Sequence, residues 1–219
     1  MDKNENIITS IEEEKKNKGR VNIYIDGLYS FSCSKDVVYI KSLKKGKMID
    51  LEDIKDTIDE DNYIKCKNAA LRVIEGSAKT EKEIQNKLLT KMYSVDTIER
   101  VIEFLKSYGF AGDRKYIQMY IRDKLKRYGR NKIKFILSAK GINQGLLSEM
   151  INDINPEDEI SSARSFAQKK IKTINWKEDK RKAYKKLFDF LRAKGYTIDV
   201  IKIVLKDIFD ENNLGGETY

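Results

Sequence analysis

The pattern of apolar positions changes near residue 50. Before it, two short runs rich in β-branched and aromatic residues, Arg20-Val21-Asn22-Ile23-Tyr24-Ile25 and Leu28-Tyr29-Ser30-Phe31-Ser32-Cys33, flank Asp26-Gly27. An Asp-Gly pair tolerates the positive φ angles of a two-residue turn, so this spacing predicts a β-hairpin. Ile7 to Glu13 supplies a third strand with Lys15 to Gly19 as the connecting turn, and Lys44-Lys45-Gly46-Lys47 reads as a loop. From about Asp50 onward apolar residues recur with helical periodicity, glycines are few and Pro156 is the single proline, so the remainder is predicted helical.

The helical part repeats itself. Ile98, Val101, Ile102 and Leu105 correspond to Leu147, Met150, Ile151 and Ile154, and then to Ile201, Val204, Leu205 and Ile208, at offsets of 49 and 54 residues. The same register aligns Lys91-Met92-Tyr93 with Lys140-Gly141-Ile142 and Lys194-Gly195-Tyr196. In each copy one helix ends at a basic residue, usually followed by a glycine suited to the position after a helix, and a second amphipathic helix follows. A further helix precedes each pair, at Ile64–Glu75, Tyr116–Tyr128 and Ser161–Ile174. Thr80-Glu81-Lys82-Glu83 offers a capping box for the second helix of the first copy. The expected fold class is mainly α: an elongated array of three three-helix repeats behind a small hairpin-containing cap. The expected divisions are residues 1–62 for the cap, 63–113, 114–158 and 159–212 for the repeats, and 213–219 for a flexible tail.

Charge sharpens this picture. The net charge is +9, but residues 1–65 hold 12 basic and 14 acidic groups, so the excess belongs to the rest. Residues 114–140 carry ten basic groups against Asp123 alone, and residues 164–194 carry twelve against three acids. Such density points to a polyanionic partner such as nucleic acid. The chain has no histidine, which removes the usual proton shuttle and the commonest metal ligand. Its two cysteines, Cys33 and Cys66, form no Cys-x-x-Cys unit, and no Gly-x-x-x-x-Gly-Lys-Ser/Thr loop is present to hold a nucleotide. The apolar runs are too short to span a bilayer and the first residues lack a secretory pattern. A cytoplasmic monomer that is not an enzyme and has no cofactor is the expectation.

Specific residues resemble a known family, the RecX regulators of the bacterial recombinase RecA. The Asp-Gly hairpin is similar to the N-terminal extension of its Gram-positive members. Ala70-Leu71, Thr80, Glu83-Ile84, Lys87-Leu88 and Tyr108-Gly109-Phe110 with Asp113 fall where the family's first repeat has them, and Arg127-Tyr128-Gly129-Arg130 and Ala139-Lys140-Gly141-Ile142 match its second. Met92 departs from a usual glycine, and Ala111-Gly112 departs before Asp113. The resemblance implies a modulator that lies in the groove of the RecA filament on single-stranded DNA. There it would suppress ATP hydrolysis and strand exchange in recombination and repair.

Candidate contacts follow from both readings. In the first basic stretch they are Arg122, Lys124, Lys126, Arg127, Arg130 and Lys132; in the second, Lys169, Lys170, Lys172, Arg181, Lys185 and Lys186. The alternative for each is an ordinary solvated helix face. Tyr116, Tyr120 and Tyr128 fit core packing better than base stacking, and Trp176 reads as a packing anchor. Asp113, Asp153, Glu157, Asp158 and Glu159 read as linker and helix-start charges rather than as a magnesium site. The runner-up function is a stand-alone basic helical-repeat protein that binds nucleic acid.

Overall fold

The computed structural model describes residues 6–15, 17–174 and 179–214. The chain divides into two compact units, residues 1–77 with 84–110, and 78–83 with 111–219.

The first unit opens with an antiparallel sheet of β1 (Ile8–Glu14), β2 (Asn17–Ile25) and β3 (Leu28–Ser34) in sequential order. Asp26 and Gly27 have φ of 49° and 82°, the paired positive angles expected of the hairpin turn. The β1–β2 connection is tighter than expected, because β2 already begins at Asn17. Along β2 the buried apolar side chains are Val21, Ile23 and Ile25, every second residue, so one face of the sheet forms a core with Ile8, Cys33 and Ile54. A six-residue helix, α1 (Lys35–Ile40), begins at Ser34, whose hydroxyl accepts the Val37 amide.

Helix α2 (Leu51–Glu75) is capped by Asp50 and runs unbroken for 25 residues, so it starts well before the predicted Ile64 and the expected 62/63 division lies inside it. Arg20, only 5% exposed, ties the sheet to this helix by donating to Asp61 at 2.6 Å and to the Ser32 carbonyl at 3.0 Å. Helices α3 (Glu81–Leu89) and α4 (Val95–Ser107) complete the first three-helix set. Its buried residues are Cys66, Ala70, Ile84, Leu88, Ile98, Val101 and Leu105. Burial pushes both the Cys33 and Cys66 thiols up to about 11.

The second unit holds α5 (Asp113–Lys124), α6 (Arg130–Ala139), α7 (Gln144–Asn152), α8 (Pro156–Ile171), α9 (Lys180–Ala193) and α10 (Ile198–Leu214). One core gathers Ile117, Ile133, Leu137, Leu147 and Met150. The other gathers Ala163, Ala167, Leu187, Leu191 and Val204. Pro156 sits at the first turn of α8, where its missing amide costs nothing, and Asn155 caps that helix. The chain is mainly helical, with a three-stranded sheet followed along the sequence by three three-helix sets. Residues 213 and 214 belong to α10; the rest of the expected tail, and Trp176, lie outside the described residues.

A recurrent joint organises the second unit. The amides of Gly129 and Asn131 donate to the carbonyls of Lys194 and Gly195, each at 3.0 Å. There the start of α6 meets the turn between α9 and α10. One copy earlier, the Thr80 hydroxyl at the start of α3 donates at 3.0 Å to the carbonyl of Lys140, in the turn between α6 and α7. A side chain on Gly195 would overlap Lys132, and one on Gly141 would overlap Lys82. These glycines are therefore required twice, for positive φ (88° and 82°) and for close approach.

Candidate functional site

The cationic residues predicted from sequence do not form one helix face. Arg122 and Lys124 lie in the last turn of α5, which stops at residue 124. Lys126 and Arg127 lie in the turn that follows, and Arg130 and Lys132 begin α6. The expected helix through Tyr128 is thus broken, because Gly129 must approach the Gly195 turn. Tyr116 and Tyr120 stack on α5 with ring centroids 6.1 Å apart, and all three tyrosines pack against the core, as the packing reading holds.

Two of these cations are engaged internally. Lys124 contacts Asp123 at 2.6 Å and lies 5.8 Å from the centre of the Tyr120 ring. Their hydrogen bond and charge attraction lower the Asp123 carboxyl and raise the Lys124 amine. Arg130 donates from Nε to Glu159 at 2.5 Å, and its backbone amide donates to the same carboxylate at 2.9 Å. Glu159 is 0% exposed, so this pair anchors the start of α6 to α8. Nothing in the sequence distinguishes Glu159 from the neighbouring helix-start acids Glu157 and Asp158. Asp113 plays a related part in the earlier copy, accepting the Glu81 amide at 3.0 Å. Lys132, half-buried, lies against the Gly195 turn and 5.7 Å from the Phe135 ring.

By contrast, Arg122, Lys126 and Arg127 are exposed and form no ion pair among the described residues. Lys169 and Lys172 are exposed at the end of α8, while Lys170 is half-buried, 5.7 Å from the Phe190 ring. Arg181, Lys185 and Lys186 are exposed on α9.

The two basic stretches meet at one groove. A cavity of about 810 Å³ lies between α5 and α8, with the end of α7 beneath it. Ile121 and Leu125 from α5 and its C-cap, Met150 and Ile154 from α7 and the loop after it, and Phe166 from α8 give it an apolar floor. Arg122 and Lys126 rise on one side and Lys169 on the other; Asp153 and Asp158 mark the end nearest the start of α8. Ser162 joins the two walls, donating to the Leu125 carbonyl at 2.9 Å and lying 3.0 Å from the buried Tyr196 hydroxyl. Burial raises the Tyr196 phenol, keeping it protonated. The Lys194 ammonium lies 4.0 Å from the centre of the Phe166 ring.

Of the twelve predicted contacts the groove therefore gathers Arg122, Lys126 and Lys169, and the α9 cations do not line it. Sequence reasoning missed Phe166, Ser161 and Ser165. Their positions off the buried Ala163-Ala167-Ile171 stripe are the signal that could have placed them on an open face. Among the described residues no group of three or more His, Cys, Asp or Glu side chains is placed to hold a metal, and no helix is long and apolar enough to cross a membrane.

Comparison with known proteins decides the family. Residues 6–50 match the profile of the regulatory protein RecX N-terminal domain. Residues 66–105, 113–151 and 157–205 match the first, second and third RecX three-helix domains in that order. The chain belongs to the RecX family. It is 47% identical over 212 residues to the regulatory protein RecX of Clostridium acetobutylicum, an alignment covering 95% of this chain and 99% of that one. The RecX of Clostridium perfringens strain SM101 is 45% identical over 200 residues, covering 91% and 94%. Among solved structures, a crystal structure of regulatory protein RecX superposes with a TM-score of 0.63 at 26% identity, covering 92% of this chain and 98% of its own. RecX from Lactobacillus salivarius shares the fold at 24% identity over 68% of this chain and 97% of its own, with a TM-score of 0.63.

Proposed function

We propose that this RecX-family chain is a non-enzymatic, cytoplasmic regulator of the RecA recombinase. It binds as a monomer to the RecA filament on single-stranded DNA, in the filament's helical groove, and mainly inhibits ATP hydrolysis and strand exchange during recombination and repair. The observation that carries this reading is the convergence of Arg122, Lys126 and Lys169, from two sequence-distant basic stretches, around one apolar groove in a chain whose relatives are named regulatory proteins. An apolar floor edged by cations suits a protein surface that carries negative charge, and exposed cations outside the groove suit phosphate.

A second reading, a stand-alone nucleic-acid binder, is favoured by Arg181, Lys185 and Lys186, which are exposed away from the groove. The two readings part in one experiment: ATP hydrolysis by preformed RecA filaments at saturating DNA, titrated with wild type and with Arg122→Glu/Arg127→Glu. Both arginines are exposed, so circular dichroism should show unchanged helix content. Wild type should inhibit and the double variant should inhibit much more weakly. Relief of the wild-type effect by excess DNA, or its absence, would favour the second reading.

A further inference from the structure

The groove between α5 and α8 differs from a nucleic-acid platform in two respects. Its floor is built from Ile121, Leu125, Met150 and Ile154 with one aromatic ring, Phe166, over which the Lys194 ammonium already lies 4.0 Å from the ring centre, whereas unpaired bases stack on exposed aromatic faces. Its rim also carries both signs. Asp153 and Asp158 stand at the end nearest the start of α8 and Lys169 at the opposite end, with Arg122 and Lys126 along the facing wall. Phosphates would be repelled from the acidic end. A protein segment with charges of both signs would not.

The dimensions and polarity define that segment further. From Asp158 to Lys169 the α8 wall rises about 16 Å, which matches three turns of a docked helix. Helices favour carboxylates in their first turn and cations in their last. A helix with its acidic N-terminal turn beside Lys169 and its basic C-terminal turn beside Asp153 and Asp158 satisfies both ends, with Arg122 and Lys126 facing it from the α5 wall. It runs antiparallel to α8, so the two helix dipoles also oppose. Ser161 and Ser165, small and exposed along the α8 wall, leave room for its aliphatic stripe.

We infer that the α5–α8 groove is a docking site for an amphipathic helix of a protein partner, about three turns long, acidic at its N-terminus and anchored by aliphatic side chains. This deepens the filament-regulator reading: the groove cations face protein, leaving the cations of α9 for phosphate.

The test uses the full-length protein and three fluorescent probes: a synthetic three-turn helix with a leucine stripe, glutamates in its first turn and lysines in its last; a twin with those charges exchanged; and oligo(dT). The acid-first peptide should bind about tenfold more tightly than its twin. Ser165→Trp, which fills the groove from an exposed position, should weaken that binding about tenfold, as should Arg122→Glu/Lys126→Glu. Oligo(dT) affinity of the Ser165→Trp variant should stay within about twofold of wild type. Equal binding of the two peptides, indifference of the acid-first peptide to Ser165→Trp, or loss of oligo(dT) binding in that variant would overturn the inference. Peptide binding with these dependences, beside a wild type that fails to inhibit preformed filaments, would support the docking site while sinking the filament reading.

Discussion

Arg130 and Glu159 show how one side chain can change the meaning of a charged stretch. Both oxygens of a fully buried carboxylate are taken by Arg130, one by its guanidinium and one by its backbone amide. Removing one partner of such a pair leaves an uncompensated charge, at a cost of about 3–5 kcal/mol. Arg130→Glu should therefore lower the melting temperature sharply, and Arg130→Met combined with Glu159→Leu should recover most of the loss. Met92 gives the opposite expectation. It adopts φ of 63° where the later copies have Gly141 and Gly195, and its side chain is 91% exposed. Met92→Gly should stabilise by about 1 kcal/mol by relieving the left-handed strain. Gly195→Ala meets both that strain and the Lys132 backbone, and should destabilise by about 2–3 kcal/mol in the same thermal assay. Sequence aligned these three positions, but only packing explains why the first tolerates a methionine.

Among the elements, Thr80 and Glu83 close the expected capping box: the Thr80 amide donates to Glu83 at 3.0 Å, and the Glu83 amide donates to the Thr80 hydroxyl at 3.1 Å. Glu83 also accepts from Lys140 at 2.6 Å, fastening the start of α3 to the α6–α7 turn. Burial alone would raise the Glu83 carboxyl, but the bonds from Lys140 and Thr80 bring it below its ordinary 4.5. A depressed folded value means that this contribution to stability is present above about pH 4.5 and is lost as pH falls through the folded value. Acid titration of the melting temperature should show Glu83→Gln losing less stability than wild type over that interval. The paired helices of each copy were legible because their apolar periodicity recurs, as along Leu187 and Leu191, whereas α8 starts at Pro156 behind the Asn155 cap, ahead of the expected Ser161. Helix α1 was not, since six residues are too few to display a period. Nor was the start of α2, where the acid-rich Leu51–Asp61 segment carries only Ile54 as a buried anchor.

At the scale of the whole molecule, the uneven charge along the chain was plain from sequence, and so was the order of cap and three helical sets. The groove was not, because its walls come from residues 118–126 and 150–169, and local density cannot say which cations share a cavity. If the α9 cations serve phosphate, Lys185→Glu/Lys186→Glu should reduce the slope of log affinity for oligo(dT) against log salt by about 1.4, since each lost contact withholds about 0.7 of a counterion. An unchanged slope would remove those lysines from the nucleic-acid surface. The turn glycines bear on how such a chain can be rearranged. Gly141 and Gly195 each receive the helix start of the preceding copy, whereas the matching turn of the first copy carries Met92. The copies are therefore not interchangeable: a permuted or duplicated chain that moves the first copy to an inner place would bring a methionine side chain against a helix backbone. Shuffled versions should fold only when that methionine is first replaced by glycine.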